Sequence, residues 1–572
     1  MDLVEKYKYQ FAIALVSMLF FIPFIGNLHL FDWDEINFAE CAREMVITGD
    51  YLRMTMDYLP FNEKPPFFIW LQAIAMNVFG IGEFAARIPN AICGIIVLIA
   101  LFNIGKKLYD TSFGIFWAGS YFGSILPHFY FKSGIIDPFF NLFIFLGLYY
   151  FFLFYLLWSA KKVSLSNSKW YYLFLASFFI GMGILTKGPV AFLIISLCIG
   201  VYWVVGLVKP FLLIKPIRLG FFFNEYLLFS IGTLVVTLLW YGIEFALHGK
   251  EFIIDFTLRQ YAMLSTHDAG HEGFLGYHFV VLLVGCFPAS VFALNAFRKQ
   301  QQSADYQAIF KIFMLILFWV VLLLFTFVKT KIVHYSSLCY YPLTYFSALT
   351  LYQIARKEIA YKKWISYTLF AIGGLLFLIV SIVPFLGQYP SIIQSLLEND
   401  KFAQANFGAE VAWTGWESLI GLYFIAIVTV GVYFFRKEEI MKGFVLLFGG
   451  TAVMLALVLI FYVGKVERYT QRAAIEFLEG LQNKDCYVMT IGYKSYAQYF
   501  YARTQPNTKP MFDGDIRWQN HLFYSKLDRD FYVLTKNTSE SELLDLIKPN
   551  QTEWERLYEK NGFVFYKKTA VK

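Results

Sequence analysis

Carboxylates and cations crowd one short stretch of an otherwise apolar chain, between residues 31 and 70. Eight carboxylates and three cations lie there: Asp32, Asp34, Glu35, Glu40, Glu44, Asp50, Asp57, Glu63, Arg43, Arg53 and Lys64. Charged groups next to apolar segments are costly, so this density indicates either a solvated loop or a site. A carboxylate there could take the proton of an attacking hydroxyl, and an ammonium could hold a phosphate.

Asp34 is the first candidate base, because it lies a few residues beyond the first apolar segment. Helix capping is the structural alternative, with Asp32 as the N-cap residue and Glu35 three residues later. Capping accounts for Asp32 and Glu35 better than it accounts for Asp34. Both interpretations stay open on residue type and spacing alone.

Lys64 is the candidate phosphate ligand, because it precedes Pro65-Pro66. A following proline disfavours the helical conformation, so Lys64 is expected to be extended beside the start of a helix. An ammonium held there could bind a phosphate at the depth of the lipid headgroups. The alternative is a lysine that extends its ammonium to the membrane interface without any ligand.

Two further turns between apolar segments carry charged groups. Asp137 follows Lys132 and precedes Pro138, and Lys187 precedes Gly188-Pro189. A carboxylate at the membrane boundary indicates function, whereas Asp-Pro is also an ordinary turn sequence. The same two interpretations apply to Lys187, with the structural one favoured.

Histidines, tyrosines and cations recur in two later connections. Four of the eight histidines lie between residues 248 and 278, which raises the question of a metal ion, although their spacing matches no closed zinc pattern. This connection also holds Arg259, Tyr261 and Tyr277. A second cluster, Lys329, Lys331, His334 and Tyr335, adds positive charge to the same predicted surface.

Composition predicts a membrane protein of many spans. The chain is 58% hydrophobic and only 16% charged, with a mean hydropathy of +0.55, whereas soluble domains carry about 25% charged residues. Roughly thirteen apolar segments reach the length of about 17 to 25 residues that a bilayer requires, centred near residues 18, 96, 121, 148, 177, 198, 234, 287, 318, 345, 375, 425 and 453. The net charge of +7 lies mostly in alternate short loops. It therefore indicates topology, and we expect no nucleic acid partner.

The loop charges predict a cytoplasmic N-terminus, and an odd number of spans then places the C-terminus outside. Between the first two spans, an amphipathic helix on the membrane surface is predicted, because Phe38, Cys41, Ala42, Met45 and Val46 recur at helical spacing before Gly49, which would end it. Its polar face would be Glu40, Arg43 and Glu44. A second helix, interfacial or re-entrant, should run from Pro66 to Phe79 and end at Gly80.

The fold predicted is an all-α multi-pass membrane domain, residues 1–465, followed by a small soluble α/β domain, residues 466–572. In the second domain, strands are predicted at residues 486–491 and 531–535, with a hairpin turning at Asn561-Gly562. A helix over residues 539–547 should begin with a capping box of Ser539 and Glu542. The six scattered cysteines predict buried apolar side chains without disulfides.

The ordered blocks resemble a known family, the polyprenyl-phosphate-dependent membrane glycosyltransferases with the GT-C fold. This family includes the lipid A aminoarabinose transferases and the protein O-mannosyltransferases. The matching blocks are Trp33-Asp34-Glu35, Glu40-Cys41-Ala42-Arg43-Glu44-Met45, Gly49-Asp50, Lys64-Pro65-Pro66 with Trp70, and Phe84-Ala85-Ala86-Arg87-Ile88-Pro89. Asp137, residues 185–189 and residues 271–277 continue the match in order. Lys132 departs from the arginine that is commoner in the family, and Gly276-Tyr277-His278 departs from the usual pair of tyrosines.

The resemblance implies roles for named residues. Asp34 and Asp137 would be catalytic, and the donor phosphate would be bound by Lys64, Arg259, Lys329 and Lys331. Glu35, Tyr261, Tyr277 and Tyr335 would bind substrate. Glu63 and His271 would hold a divalent metal ion if the enzyme uses one; no other cofactor is implied.

The activity implied is transfer of a sugar from undecaprenyl phosphate, or another polyprenyl phosphate, at the outer face of the bacterial inner membrane. The acceptor would be a lipid A-like or other envelope molecule, and a protein Ser/Thr hydroxyl is the alternative. A transporter or flippase of lipid-linked substrates is a rival of another class. Such a transporter should carry charged residues at mid-membrane depth, whereas the carboxylates here gather towards one face. No glycine-rich nucleotide loop occurs in the sequence.

Overall fold

The computed structural model describes residues 3–159, 167–208, 219–265, 273–297, 305–397, 399–506 and 515–571. Its first half contains two short strands, β1 (Thr55–Met56) and β2 (Leu59–Pro60), and eleven helices. These helices are α1 (Leu3–Phe21), α2 (Asp34–Thr48), α3 (Phe67–Phe79), α4 (Glu83–Leu108), α5 (Thr111–Phe122), α6 (Ile125–Phe129), α7 (Asp137–Trp158), α8 (Lys169–Lys187), α9 (Val190–Val208), α10 (Leu219–His248) and α11 (Glu251–Ser265).

Eleven further helices follow before the soluble domain. They are α12 (Tyr277–Gly285), α13 (Ala289–Ala293), α14 (Asp305–Phe327), α15 (Tyr340–Ala355), α16 (Lys363–Gln388), α17 (Pro390–Leu396), α18 (Lys401–Asn406), α19 (Leu419–Arg436), α20 (Ile440–Phe444), α21 (Gly450–Val458) and α22 (Gly464–Arg468). The last three join through two π-helical turns into one continuous apolar segment, Ile440–Arg468.

In the described part of the chain, nine helical segments are long and apolar enough to cross a membrane. They are α4, α7, α8, α9, α10, α14, α16, α19 and the segment Ile440–Arg468. The other four predicted centres, near 18, 121, 287 and 345, fall within or beside α1, α5, α12 with α13, and α15. The chain is thus a multi-pass membrane protein with helical structure near every predicted centre.

Packing of α7 against α8 sets one end of the candidate site. The two helices are antiparallel neighbours, and a Cβ on Gly147 would lie only 2.6 Å from Ile180, so this glycine permits their close approach. The first residue of α7 is Asp137 and the last of α8 is Lys187. The antiparallel pair therefore brings a carboxylate and an ammonium to the same end of the bundle.

The helix predicted between Pro66 and Gly80 is confirmed as α3, with Pro66 before its first residue and Gly80 after its last. Its position at the membrane interface stays a prediction. A helix is present where α2 was predicted and it ends at Gly49, but the prediction about its polar face was wrong. Gly49 ends α2 in the left-handed conformation, yet Glu40, Arg43 and Glu44 are all buried. Arg43 donates two hydrogen bonds to Glu40, of 2.7 and 2.6 Å, and this ion pair allows both groups to leave water.

The C-terminal part forms a four-stranded sheet of order β3-β4-β6-β5, with β3 (Cys486–Ile491) parallel to β4 (Asp530–Lys536) and the other pairs antiparallel. Strands β5 (Trp554–Lys560) and β6 (Phe563–Lys568) form the predicted hairpin, turning at Asn561 and Gly562, both with positive φ. The helices of this part are α23 (Arg472–Glu479), α24 (Ala497–Ala502), α25 (Asp515–Tyr524) and α26 (Glu540–Ile547).

The predicted capping box of α26 is not formed. Ser539 stands at the N-cap position, but its hydroxyl donates to the Gly492 carbonyl at 3.3 Å and no side chain caps the helix. All six cysteines are buried and free, as predicted. Whether the domain boundary lies between residues 465 and 466 stays a prediction.

Candidate active site

A cavity of about 660 Å³ lies among the turn after α1, the start of α2, the turns before α3 and α7, and the segment before α15. Its lining contains four carboxylates and five cations: Asp32, Asp34, Glu35, Glu63, Lys64, Arg87, Lys132, Lys187 and Arg259. Cations thus outnumber carboxylates in a space large enough for a sugar and its neighbours. This lining suits an anionic ligand.

The side chain of one histidine, His334, lies between the carboxylates of Asp34 and Asp137. His334 Nε2 lies 3.4 Å from Asp34 Oδ2 and 3.8 Å from Asp137 Oδ2. Burial is the main cause that lowers the His334 pKa, and Lys187 and Lys64 lower it further, against the opposing effect of both carboxylates. The lowered pKa favours the neutral imidazole, which lies between the two carboxylates.

Lys187 is fixed by Asp137. Its ammonium lies 2.6 Å from Asp137 Oδ1 and 5.2 Å from the centre of the Tyr335 ring. Asp137 is almost fully buried, so the pair is shielded from water and its geometry is well defined. Asp137 therefore balances the charge of Lys187 and holds its ammonium in the cavity wall.

Lys64 lines the same cavity, near the charges of Asp34 and Glu63 but not in contact with either. Among the described residues, its ammonium makes no hydrogen bond or ion pair. Burial lowers its pKa, Lys187 and Arg259 lower it further, and Asp34 and Glu63 raise it. An anion bound beside Lys64 would replace the missing partner and would stabilise the charged ammonium.

A second, apolar cavity of about 290 Å³ adjoins the first. Both are lined by Lys64, Lys187 and Tyr335, which therefore stand where the two spaces meet. The remaining walls of the second cavity are largely apolar and include Leu193, Ile194, Phe256, Leu324, Val328 and Leu338. A polar chamber and an apolar chamber thus share two lysines at their junction.

Glu63 lines the first cavity opposite Arg259, with 3.4 Å between Arg259 Nε and Glu63 Oε1. A cation already lies beside this carboxylate. The described residues include one set of three side chains with metal-binding spacing, and Glu63 does not belong to it. His271 lies outside the described residues, so the predicted metal role of Glu63 and His271 stays a prediction, and no step below passes through it.

Both carboxylate oxygens of Glu35 already accept hydrogen bonds from other groups of the protein. Arg87 donates to its two oxygens at 3.0 and 2.8 Å, and the backbone N–H groups of Phe31 and Gly134 also donate to it. Burial raises the Glu35 pKa, but Arg87 outweighs this and leaves the pKa below its ordinary value. Arg87 also binds three carbonyls in the turn after α1, so the pair holds the cavity wall together.

The capping alternative is wrong for Asp32. The residue before α2 is Trp33, without a side-chain cap, and Asp32 accepts hydrogen bonds from Ser495 and the N–H of Tyr496 in the C-terminal part. Burial raises the Asp32 pKa to about 6. This carboxylate therefore ties the cavity wall to the soluble domain.

The other predicted ligands lie apart from the two cavities, except Tyr335. Tyr261 on α11 is 70% exposed, Lys329 is exposed, and Tyr277 begins α12; none lines either cavity. Lys331 is buried, and its ammonium donates to the carbonyls of Phe325, Thr326 and Val328, so it caps the end of α14.

Lys187, His334 and Lys132 have more specific places in the site than the sequence indicated. For Lys187 the structural interpretation was favoured, and His334 was expected only to add positive charge, but both lie beside the carboxylates. Lys132 lines the cavity, and among the described residues its ammonium donates to the carbonyls of Phe21 and Pro23. Burial lowers the Lys132 pKa to about 8. The turns that hold these residues also suit structural side chains, so the sequence did not separate the two roles.

Comparison with known proteins identifies the fold. Residues 63–241 match the sequence family described as dolichyl-phosphate-mannose-protein mannosyltransferase. The crystal structure of ArnT from Cupriavidus metallidurans bound to undecaprenyl phosphate superimposes with a TM-score of 0.74 over 99% of this chain and 98% of that one, at 16% identity. The chain has the GT-C fold.

Two curated relatives of this GT-C chain carry the same description, undecaprenyl phosphate-alpha-4-amino-4-deoxy-L-arabinose arabinosyl transferase. The one from Edwardsiella ictaluri is 25% identical over 362 residues, 59% of each chain. The one from Aeromonas hydrophila is 26% identical over 424 residues, 72% of this chain and 71% of the relative. The first of these alignments spans less than two thirds of the relative's length.

Proposed function

We propose that this protein is an integral membrane glycosyltransferase that takes a sugar from a polyprenyl phosphate and transfers it to a cell-envelope acceptor. The observation that carries the proposal is the meeting of a charged and an apolar cavity at Lys64 and Lys187. A lipid-linked sugar phosphate has the same division into a polar head, a phosphate and an apolar chain. The names of the relatives support undecaprenyl phosphate as the carrier.

The donor would lie across the junction of the cavities. Its first isoprene units would enter the apolar cavity, where Leu193, Phe256 and Val328 supply the walls. Its phosphate would lie beside Lys64, whose ammonium lacks a partner among the described residues. The sugar would then occupy the larger cavity next to Asp34.

The transfer breaks the bond between the anomeric carbon and the phosphate oxygen and forms a bond from that carbon to the acceptor oxygen. Asp34 is the candidate general base, because its side chain remains 38% exposed in the cavity and can receive the acceptor's hydroxyl proton. The bonding electrons leave with the polyprenyl phosphate. Lys64 and Arg259 would stabilise the negative charge that develops on that leaving group.

Asp137 would act through its neighbours rather than on the acceptor. Its two oxygens face Lys187 and His334, and its side chain is only 3% exposed. It therefore holds Lys187 at the junction of the cavities and helps to orient His334 beside Asp34. Glu35 would likewise support the wall, through its bonds with Arg87.

The acceptor is proposed to be a lipid A-like glycolipid, as the resemblance of the sequence blocks to the lipid A aminoarabinose transferases implies; the names of the curated relatives support the donor alone. A protein hydroxyl is the second candidate, favoured by the family description of a protein mannosyltransferase. Either acceptor would be met on the outer face of the inner membrane, with the N-terminus in the cytoplasm and the soluble domain outside, as the loop charges indicate.

A lipidomic comparison tests the proposal. A strain that lacks this protein is complemented with the wild type or with Asp34→Asn, and its envelope lipids and glycoproteins are analysed by mass spectrometry. We expect one sugar-bearing species to be restored by the wild type alone. Identical spectra from the deletion and both complemented strains, with the proteins present in the membrane, would remove the proposal.

A further inference from the structure

Three potential metal ligands meet away from both cavities, where the soluble domain contacts the membrane domain. The nitrogen or oxygen atoms that His29, Glu83 and Glu479 can offer lie within 4.8 Å of one another. His29 lies in the turn after α1, Glu83 is the first residue of α4, and Glu479 is the last of α23. Three segments distant in sequence thus converge on one point.

The His29 ring is held in the orientation that metal-binding histidines adopt. Its Nδ1 lies 2.9 Å from Glu467 Oε1, and its Nε2 lies 3.5 Å from Glu479 Oε1. A carboxylate behind the ring fixes the tautomer and leaves the other nitrogen for a metal. Arg472 in turn binds the second oxygen of Glu467 at 2.6 Å.

The two carboxylates that would share the metal form no ion pair with lysine or arginine in the described part of the chain, although Glu83 interacts at longer range with Arg87 and Arg503. Among the described residues, neither Glu83 nor Glu479 has such a side chain within 4.0 Å, and His29 is the neighbour of Glu479. A divalent cation would balance both charges. The 3.5 Å separation of His29 Nε2 and Glu479 Oε1 is close to the spacing of about 3.4 Å between ligands on tetrahedral zinc.

We propose that His29, Glu83 and Glu479 bind a zinc ion that joins the soluble domain to the membrane domain. One imidazole and two carboxylates suit zinc better than calcium or magnesium, which prefer oxygen ligands alone. Water would take the fourth position. The site is separate from the proposed transfer reaction, since none of its ligands lines either cavity.

Metal analysis of the purified full-length protein tests the assignment. The protein is stripped with a chelator, equilibrated with zinc, desalted and analysed for zinc per chain. All variants are made in a background protein that carries Glu63→Gln and His271→Asn, so that the other predicted metal ligands cannot contribute zinc. We expect Glu479→Gln to lose about one zinc equivalent, and Glu479→His, which keeps a ligand atom, to retain it. Glu476→Gln is the matched control, because Glu476 lies on the same helix but pairs with Lys560.

Thermal unfolding provides the second readout. Zinc should raise the unfolding midpoint of the background protein and of Glu476→Gln, because a ligand that binds only the folded state stabilises it. The rise should be much smaller for Glu479→Gln, which lacks one of the ligands. His29→Gln should behave like Glu479→Gln. Equal zinc content and equal stabilisation in Glu479→Gln and Glu476→Gln would overturn the proposal, as would the absence of bound zinc in all of them.

Discussion

Asp34 Oδ2 lies 3.4 Å from Nε2 of His334, a residue three hundred positions further along the chain. The same nitrogen lies 3.8 Å from Asp137 Oδ2, so one imidazole stands between the two carboxylates. Asp34 remains partly exposed in the larger cavity, whereas Asp137 is buried behind it. The two carboxylates therefore have different tasks: Asp34 is placed to meet the acceptor, and Asp137 to hold its neighbours.

Asp34→Asn should abolish most of the transfer activity. The amide cannot accept a proton from the acceptor hydroxyl, so kcat should fall by about 10²- to 10⁴-fold while the donor KM changes little. The measurement is steady-state transfer by purified protein in lipid nanodiscs. Asp50→Asn is the control from the same charged stretch, because among the described residues the Asp50 carboxylate accepts hydrogen bonds from the backbone of residues 52 and 53 alone. Full activity in Asp34→Asn would remove Asp34 as the base.

Lys64→Ala should weaken donor binding. Loss of a charge-assisted contact of about 1.5 to 3 kcal/mol corresponds to a rise of about 10- to 150-fold in the donor KM. The measurement is KM for the lipid-linked donor in Lys64→Ala and Lys64→Arg. Arginine keeps the charge and should restore part of the affinity. An unchanged KM in Lys64→Ala would show that the phosphate lies elsewhere.

The wild-type donor KM should also rise at alkaline pH. Burial, Lys187 and Arg259 lower the Lys64 pKa, so the ammonium loses its proton at a lower pH than an ordinary lysine does. The neutral amine cannot neutralise a phosphate, and donor affinity should fall as pH rises through the lowered pKa. A series of KM values from pH 7 to pH 10 measures this. Lys64→Arg should show no such rise, and a parallel rise in both proteins would contradict the assignment.

Lys187→Met should destabilise the fold. The substitution leaves the buried Asp137 carboxylate without its closest cation, and breaking a buried ion pair in this way costs about 3 kcal/mol. Asp137→Asn in the same chain should recover part of the loss, because the unpaired charge is removed. Thermal unfolding of the two single variants and the double variant measures their coupling. Lys169→Met, at the other end of α8, is the control; additive effects would show that the pair is not coupled.

Glu44→Gln should flatten the dependence of stability on pH. Burial and the neighbouring Glu40 raise the Glu44 pKa to about 9, whereas an unfolded glutamate titrates near about 4.3. Between these values the folded chain keeps a proton that the unfolded chain releases, so the free energy of unfolding falls as pH rises. The variant should therefore gain most over the wild type near pH 9. Unfolding midpoints at pH 5, 7 and 9 test this, with the exposed Glu438→Gln as control; equal slopes would contradict it.

Helix ends and tight turns could be predicted from the sequence, because neighbouring residues determine them. Pro66 precedes α3 and Gly80 follows it, as predicted, and Asn561-Gly562 forms the turn between β5 and β6. The short β1–β2 hairpin was missed because Asp57 and Tyr58 form its turn, both with positive φ, without the glycine or asparagine that usually marks one.

The parts that depend on distant residues could not be read locally. The polar face of α2 was expected in water, but Arg43 is covered by Thr504, whose carbonyl accepts a hydrogen bond of 3.0 Å from it. Lys187 belongs to the site because it contacts Asp137, and His334 because it lies beside Asp34. In each pair the two residues are far apart in the sequence. A single sequence contains the side chains of such pairs but not the folded contact that joins them.

The most direct test of the central claim follows the bond between sugar and phosphate in the donor. Purified protein in nanodiscs is given a polyprenyl-phosphate-linked sugar labelled in the sugar, with and without a glycolipid acceptor, and the products are separated by mass. The account predicts free polyprenyl phosphate and labelled acceptor in equal amounts, both lost in Asp34→Asn. Movement of intact donor across the bilayer in vesicles, with no cleavage of that bond by the wild type, would contradict it and would favour a transporter.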